Sequence, residues 1–115
     1  MRMIDLDPKW LRYEKREDGG IYFVPSTMPE AHGIRFLCPK CFAVNGGPSG
    51  THSIICWSRA RGTPEEATPG PGRWTFHGTG FEDLTFEGDP VGTARSVQLN
   101  GGCNWHGHVT NGEVI

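Results

Sequence analysis

The chain has no long apolar run, no cluster of basic residues, no internal repeat and no helix-period pattern of any length. Each absence removes a class of protein. Without an apolar stretch near twenty residues there is no membrane-spanning helix to expect, and Met1 to Asp5 carries no signal-peptide core. A host cytoplasm with reducing conditions is the expected location, and no membrane partner is expected. The formal net charge is −2, so sequence-independent binding to phosphate backbones has little support and no nucleic-acid partner is expected. No glycine-rich loop opens a helix, which leaves nucleotide binding without a cradle. The acidic pairs Glu65-Glu66 and Glu82-Asp83 read as solvated charges rather than paired catalytic carboxylates.

Glycine and proline are abundant instead, 17 and 9 of 115 residues, against a hydrophobic share of 36%. That composition borders on disorder, but four Trp and six Phe are what a thin β-rich core needs. A core this small usually carries a staple, either disulfide or metal. In a reducing compartment four cysteines are more often metal ligands than disulfides.

The expected fold is mostly β, a small antiparallel sheet with little helix. Residues 1–20 read as a charged N-terminal arm, and 21–115 as the β-domain. Ile21–Val24, Gly33–Leu37, Ser53–Ser58, Arg73–Thr79, Leu84–Phe86 and Ser96–Leu99 carry strand composition. Residues 59–72, rich in Gly and Pro, read as a mobile loop. Asn111-Gly112 between Trp105–Thr110 and Glu113–Ile115 predicts a tight hairpin, because both turn residues accept positive φ.

The chemistry sits in two half-sites of equal spacing. Cys38-Pro39-Lys40-Cys41 follows a strand and is followed by Gly46-Gly47, the layout of a zinc knuckle. Cys103-Asn104-Trp105-His106 follows Gly101-Gly102. Tetrahedral zinc takes four such ligands, so Cys38, Cys41, Cys103 and His106 are expected to hold one structural Zn²⁺. The alternative is a Cys38–Cys41 dithiol with His106 on the surface. Thioredoxin-like chemistry fits poorly, because no helix is expected after the first pair. Cys56, within an apolar strand, reads as a buried thiol acting as a small hydrophobe.

The order of these elements resembles a family of small phage- and prophage-encoded proteins of unknown function, some loosely labelled "ammonia monooxygenase". The resemblance runs from Phe36-Leu37-Cys38-Pro39-Lys40-Cys41 through His52–Trp57, Arg73–Phe76 with Gly78, and Leu84-Thr85-Phe86. It continues through Ser96-Val97 to Cys103–Val114, covering roughly 34–115. It departs at Ala94-Arg95-Ser96-Val97, where an insertion breaks the usual T-L-x-P-S pattern, and it lacks a Cys/His tail that some relatives carry. The resemblance implies phage origin and a zinc-bound β-fold. Monooxygenase chemistry is not implied, since no copper or iron constellation is present. Related domains in bacterial ubiquitin-like operons are suspected peptidases.

The leading expectation is an accessory protein that binds a host or phage protein through the N-terminal arm and the 59–72 loop. The competing one is a zinc-stabilised hydrolase with Ser96 as nucleophile, His52 as base and Asp83 or Asp89 orienting it. His108, two residues from His106 and so on the same strand face, is a further candidate beside the metal. His32 and His77 show no partner in sequence. A virion or assembly component is the third possibility.

Overall fold

Lys9 to Lys15 holds buried residues of both pleat phases, Trp10, Leu11 and Tyr13. A strand like that belongs inside a sheet. In the computed structural model, which describes all 115 residues, it forms β1 (Lys9–Lys15), flanked by β2 (Ile21–Pro25) and β3 (Gly33–Leu37), with β4 (Ser53–Trp57) beyond. The four make one antiparallel sheet in the order β2-β1-β3-β4. The fold is mostly β, as expected.

The expected N-terminal arm is therefore built into the domain. Met3 and Leu6 lie in a 3-10 turn and are fully buried. The Met1 amine donates to the Val114 carbonyl (2.9 Å), and Met3 N–H donates to Gly112 O (2.8 Å). The polar appearance of this segment misled because an interior strand divides its few apolar residues between two faces, which erases simple alternation.

One face of the sheet carries Trp10, Ile34, Phe36, Ile54 and Cys56, aligned by the pairs Trp10↔Ile34, Ile34↔Cys56 and Phe36↔Ile54. Against it packs the hairpin of β5 (Trp74–His77) and β6 (Thr85–Gly88). Trp74 and Phe76 are buried while His77 is exposed, as their alternation predicts. Trp10 stacks on Phe81 at 4.8 Å between ring centroids, and Phe76 lies 4.9 Å from Phe86. Cys56 is fully buried in this core, and burial pushes its thiol far above the ordinary range.

The C-terminal segment closes the same core. β7 (Val97–Gln98) pairs with β8 (His106–Gly107), and β9 (Val109–Thr110) with β10 (Glu113–Val114). Asn111 and Gly112 take φ of 47° and 77° in the turn between β9 and β10, the geometry the sequence predicts. Gly107 is needed because a Cβ there would run into the Ile115 carbonyl and the Trp105 ring.

The second face of the sheet is small: Leu11, Tyr13 and Trp57 pack with Ala67. Its cover is the segment 59–72, expected as a mobile loop and found latched. Trp57 Nε1 donates to Thr68 O (2.8 Å). Arg73, 5% exposed, donates to the carbonyls of Ala67 (2.8 Å), Gly72 (2.9 Å), Pro69 (3.2 Å) and Glu65 (3.2 Å). A Gly- and Pro-rich segment has no ladder to satisfy its carbonyls, and the five-donor guanidinium supplies what the ladder would.

The one α-helix, α1 (Pro39–Asn45), is seven residues long and was not expected. Pro39 at its first position and Gly46 in the left-handed conformation beyond its end are ordinary helix punctuation. No helix is long and apolar enough to cross a membrane.

Candidate metal centre

Three cysteines and one histidine converge at the end of the sheet where β3 runs into α1. The ligand atoms of Cys38, Cys41, His52 and Cys103 all lie within 4.8 Å of one another. Cys38 caps α1, and Cys41 stands three residues on in its first turn. A helical turn brings positions three apart to one side, so the Cys-x-x-Cys spacing becomes a two-sulfur claw.

His52 arrives through the β-ladder. The β3–β4 register places Leu37 opposite Ser53, and the next pair outward is Cys38 and His52. Cys38 N–H donates to His52 O at 2.9 Å. His52 Nε2 lies 3.4 Å from Cys103 Sγ, while Nδ1 faces the Ser53 carbonyl at 3.4 Å. That orientation turns Nε2 toward the sulfurs and ties the other nitrogen to backbone, the arrangement that fixes the tautomer of a metal-binding imidazole.

Cys103 comes from a tight turn. Gly101, Gly102 and Asn104 have φ of 105°, 57° and 55°. Asn104 Oδ1 accepts from Gly101 N–H (2.8 Å), and Asn104 N–H donates to Gly101 O (3.1 Å). Cys103 Sγ sits 3.6 Å from Cys38 Sγ. Lys40 Nζ donates to the Cys103 carbonyl (2.7 Å), bringing a positive charge to the rim of a sulfur-rich site.

These separations fit a metal. With Zn–S near 2.3 Å and Zn–N near 2.0 Å, a tetrahedron has edges of roughly 3.5–3.8 Å. The Cys38–Cys103 sulfur separation of 3.6 Å falls in that range, and the His52 Nε2–Cys103 Sγ separation of 3.4 Å lies just below it. Three thiols and an imidazole form a known structural zinc set.

Two of the thiols, Cys41 and Cys103, are shifted in opposite directions. Burial raises the Cys103 thiol. Hydrogen bonding to His52, to the Trp105 backbone and to Cys38 and Cys41 outweighs that and draws it down to about 6. Burial, together with hydrogen bonds to Cys103 and Cys38, pushes Cys41 up to about 11. Cys103 therefore gives up its proton before Cys41, which is how adjoining titrating groups divide a charge.

The expected ligand His106 lies elsewhere. It is exposed in β8, opposite Gln98. Trp105 takes the inward position, buried and edge-on to Phe36 at 6.3 Å, so its strand neighbour points to the other side. His108 accompanies His106, ring centroids 6.3 Å apart, and neither belongs to the quartet. The strand-face expectation for this pair holds, but the face is turned from the sulfurs. Among the cysteine ligands, Cys38, Cys41 and Cys103 are brought together as expected.

The proposed Ser96–His52 pair makes no hydrogen bond. Ser96 is half-buried and lines the wide cleft beside β4, whereas His52 lies on the stretch beside Cys103. The aspartates are engaged away from His52. Asp83 holds the β5–β6 turn by accepting from Thr79 N–H (2.9 Å) and Gly80 N–H (3.0 Å), bonds that lower its pKa. Asp89 faces Arg59 at 3.7 Å. A helix does follow Cys38, so the expected ground against redox chemistry is removed. The convergence of Cys103 and His52 on the same pair now bears on that question.

His52 as a metal-site residue was the missed assignment. Its signal was present: two strands that pair antiparallel place the residue after the first opposite the residue before the second. Comparison of the chain with protein-family models, curated proteins and solved structures found no match.

Proposed function

We propose that this chain is an accessory domain of phage or prophage type, built around one structural Zn²⁺ held by Cys38, Cys41, His52 and Cys103, and acting by binding another protein. The observation that carries the reading is the quartet itself, four donor atoms within 4.8 Å. Four protein ligands fill a tetrahedron and leave no position for substrate or activated water. The zinc would join the β3–α1 corner to the Gly101–Asn104 turn, 62 residues further along from Cys41 to Cys103. Such a link stiffens a chain whose core is small.

The hydrolase reading is weakened by the position of His52, whose Nε2 faces Cys103 Sγ. An imidazole that ligates metal has no lone pair left to act as base.

Cobalt substitution tests the closed site. Co²⁺ in the quartet gives intense tetrahedral ligand-field bands with thiolate charge transfer. Those bands should stay unchanged when azide or a hydroxamate is added. A spectral shift on addition would reveal an open position and overturn the structural reading in favour of catalysis.

A further inference from the structure

β2 is the outer strand of the four-stranded sheet. Its hydrogen bonds to β1 have a fixed phase. Arg16 N–H donates to Gly20 O and Ser26 N–H to Trp10 O, both 2.9 Å. The register between them pairs Glu14 with Tyr22 and Arg12 with Val24. Antiparallel ladders alternate, so Gly20, Tyr22, Val24 and Ser26 face β1, while the N–H and C=O of Ile21 and Phe23 point outward. No second strand and no loop hydrogen bond meets them.

The side chains are guarded by one cation, Arg16, whose guanidinium lies 4.0 Å over the Tyr22 ring. Ile21, Tyr22 and Phe23 are 44%, 39% and 40% exposed, three consecutive large apolar residues on one edge. Natural edges are usually blunted by lysine, proline, inward charges, bulges or a covering loop, and Pro25 closes this strand. Here no charged residue occurs from Gly19 to Pro29. The opposite edge differs, because Ser53, Ile54 and Ile55 of β4 share a cleft with residues 96–100.

We propose that β2 pairs antiparallel with β2 of a second copy of this chain, across a twofold axis through Tyr22. In that register Ile21 opposes Phe23 of the second copy, and the reverse, so four N–H···O=C bonds satisfy every outward group at 21 and 23. The two Tyr22 side chains meet as a non-hydrogen-bonded pair, with Cβ atoms about 5 Å apart. Ile21 and Phe23 meet on the face that carries Tyr13 and Trp57, where Phe23 already lies 5.1 Å from Trp57.

The edge is its own complement. Asp18 falls opposite Ser26, and each Arg16 stays over its own Tyr22 ring beside the axis. Centring the axis on Phe23 would bring in Pro25, which has no N–H, and leave the Ile21 carbonyl without a donor. A twofold contact closes on itself, so assembly stops at a dimer with one eight-stranded sheet. One short strand pair is a small interface, of the class that gives weak, concentration-dependent association. The metal centre lies at the far side of β3 from β2, so this pairing stands independently of the metal reading.

The test is sedimentation of the zinc-loaded full chain from about 10 μM to about 1 mM. Mass should rise with concentration from 12.7 kDa toward twice that value. Tyr22→Glu places like charges on the axis and should keep the chain monomeric. Ile4→Glu, at an exposed apolar residue elsewhere, should leave the dimer intact. Register is tested by Tyr22→Cys, which should form an interchain disulfide at position 22 under mild oxidation, located by peptide mass spectrometry. Val24→Cys should not, because those positions would lie roughly 13 Å apart. A monomer throughout the range, a dimer that survives Tyr22→Glu, or cross-linking at 24 in preference to 22 overturns the proposal. The cross-link result decides even where the charged variant fails to fold.

Discussion

Cys38-Pro39-Lys40-Cys41 and Cys103-Asn104-Trp105-His106 have the same spacing, and the fold uses them differently. The first is wound into the opening turn of α1, so both ends face one point. The second leaves its turn after Asn104 and becomes extended, with Trp105 buried and His106 exposed in β8. Spacing alone does not define a ligand pair. A gap of two residues converges in a helical turn and diverges in a strand. The residue that joins the three sulfurs is His52, which reaches them across the ladder.

The largest effect should come from breaking the first half-site at its buried end. Cys38→Ser removes a ligand that is fully buried and leaves a hydroxyl among sulfurs. Loss of zinc and several kcal/mol of stability are expected, read as loss of the cooperative thermal transition. Retention of zinc and of a normal transition would show that the claw is not the anchor.

The second half-site should break at its turn. Asn104 has φ of 55° and caps the turn through its side chain. Asn104→Ala should cost about 1–2 kcal/mol, with Asn104→Gly costing less because glycine accepts that backbone. Equal losses in the two variants, measured by denaturant unfolding, would assign the cost to the side chain and not to the conformation.

A histidine outside both half-sites gives a smaller, pH-dependent effect. His32 is held neutral by burial and by the nearby Arg12 guanidinium, which lower its pKa, while its Nδ1 accepts Tyr13 N–H at 2.9 Å. The unfolded chain then binds the proton more readily. Stability from this group is complete above about 6.5 and is lost as pH falls through the depressed folded value. An imidazole NMR titration should place the His32 midpoint below the ordinary histidine value of about 6.5. A midpoint at or above that value would contradict the assignment.

Much of the fold was legible in the sequence. β3, β4, β5 and the Asn111-Gly112 turn follow from β-branched runs, alternation and turn chemistry. β1 was hidden because Trp10, Leu11 and Tyr13 serve two faces at once. α1 was hidden because seven residues are too few to display a helical period. The latch over 59–72 was hidden because its glue is one guanidinium bonding to carbonyls, which leaves no pattern in composition. Of the metal centre, the three cysteines were legible from spacing. His52 required the strand register, a long-range property that sequence shows only once the partner strands are paired.

The most direct measurement is zinc stoichiometry by native mass spectrometry on His52→Ala and His106→Ala, each compared with the unaltered chain. One zinc per chain is expected for the unaltered protein and for His106→Ala, whose thermal midpoint should stay within about 3 °C. His52→Ala should lose the metal or hold it at least roughly tenfold more weakly against a chelator. Zinc lost from His106→Ala and kept by His52→Ala would return the fourth corner to His106 and contradict the account.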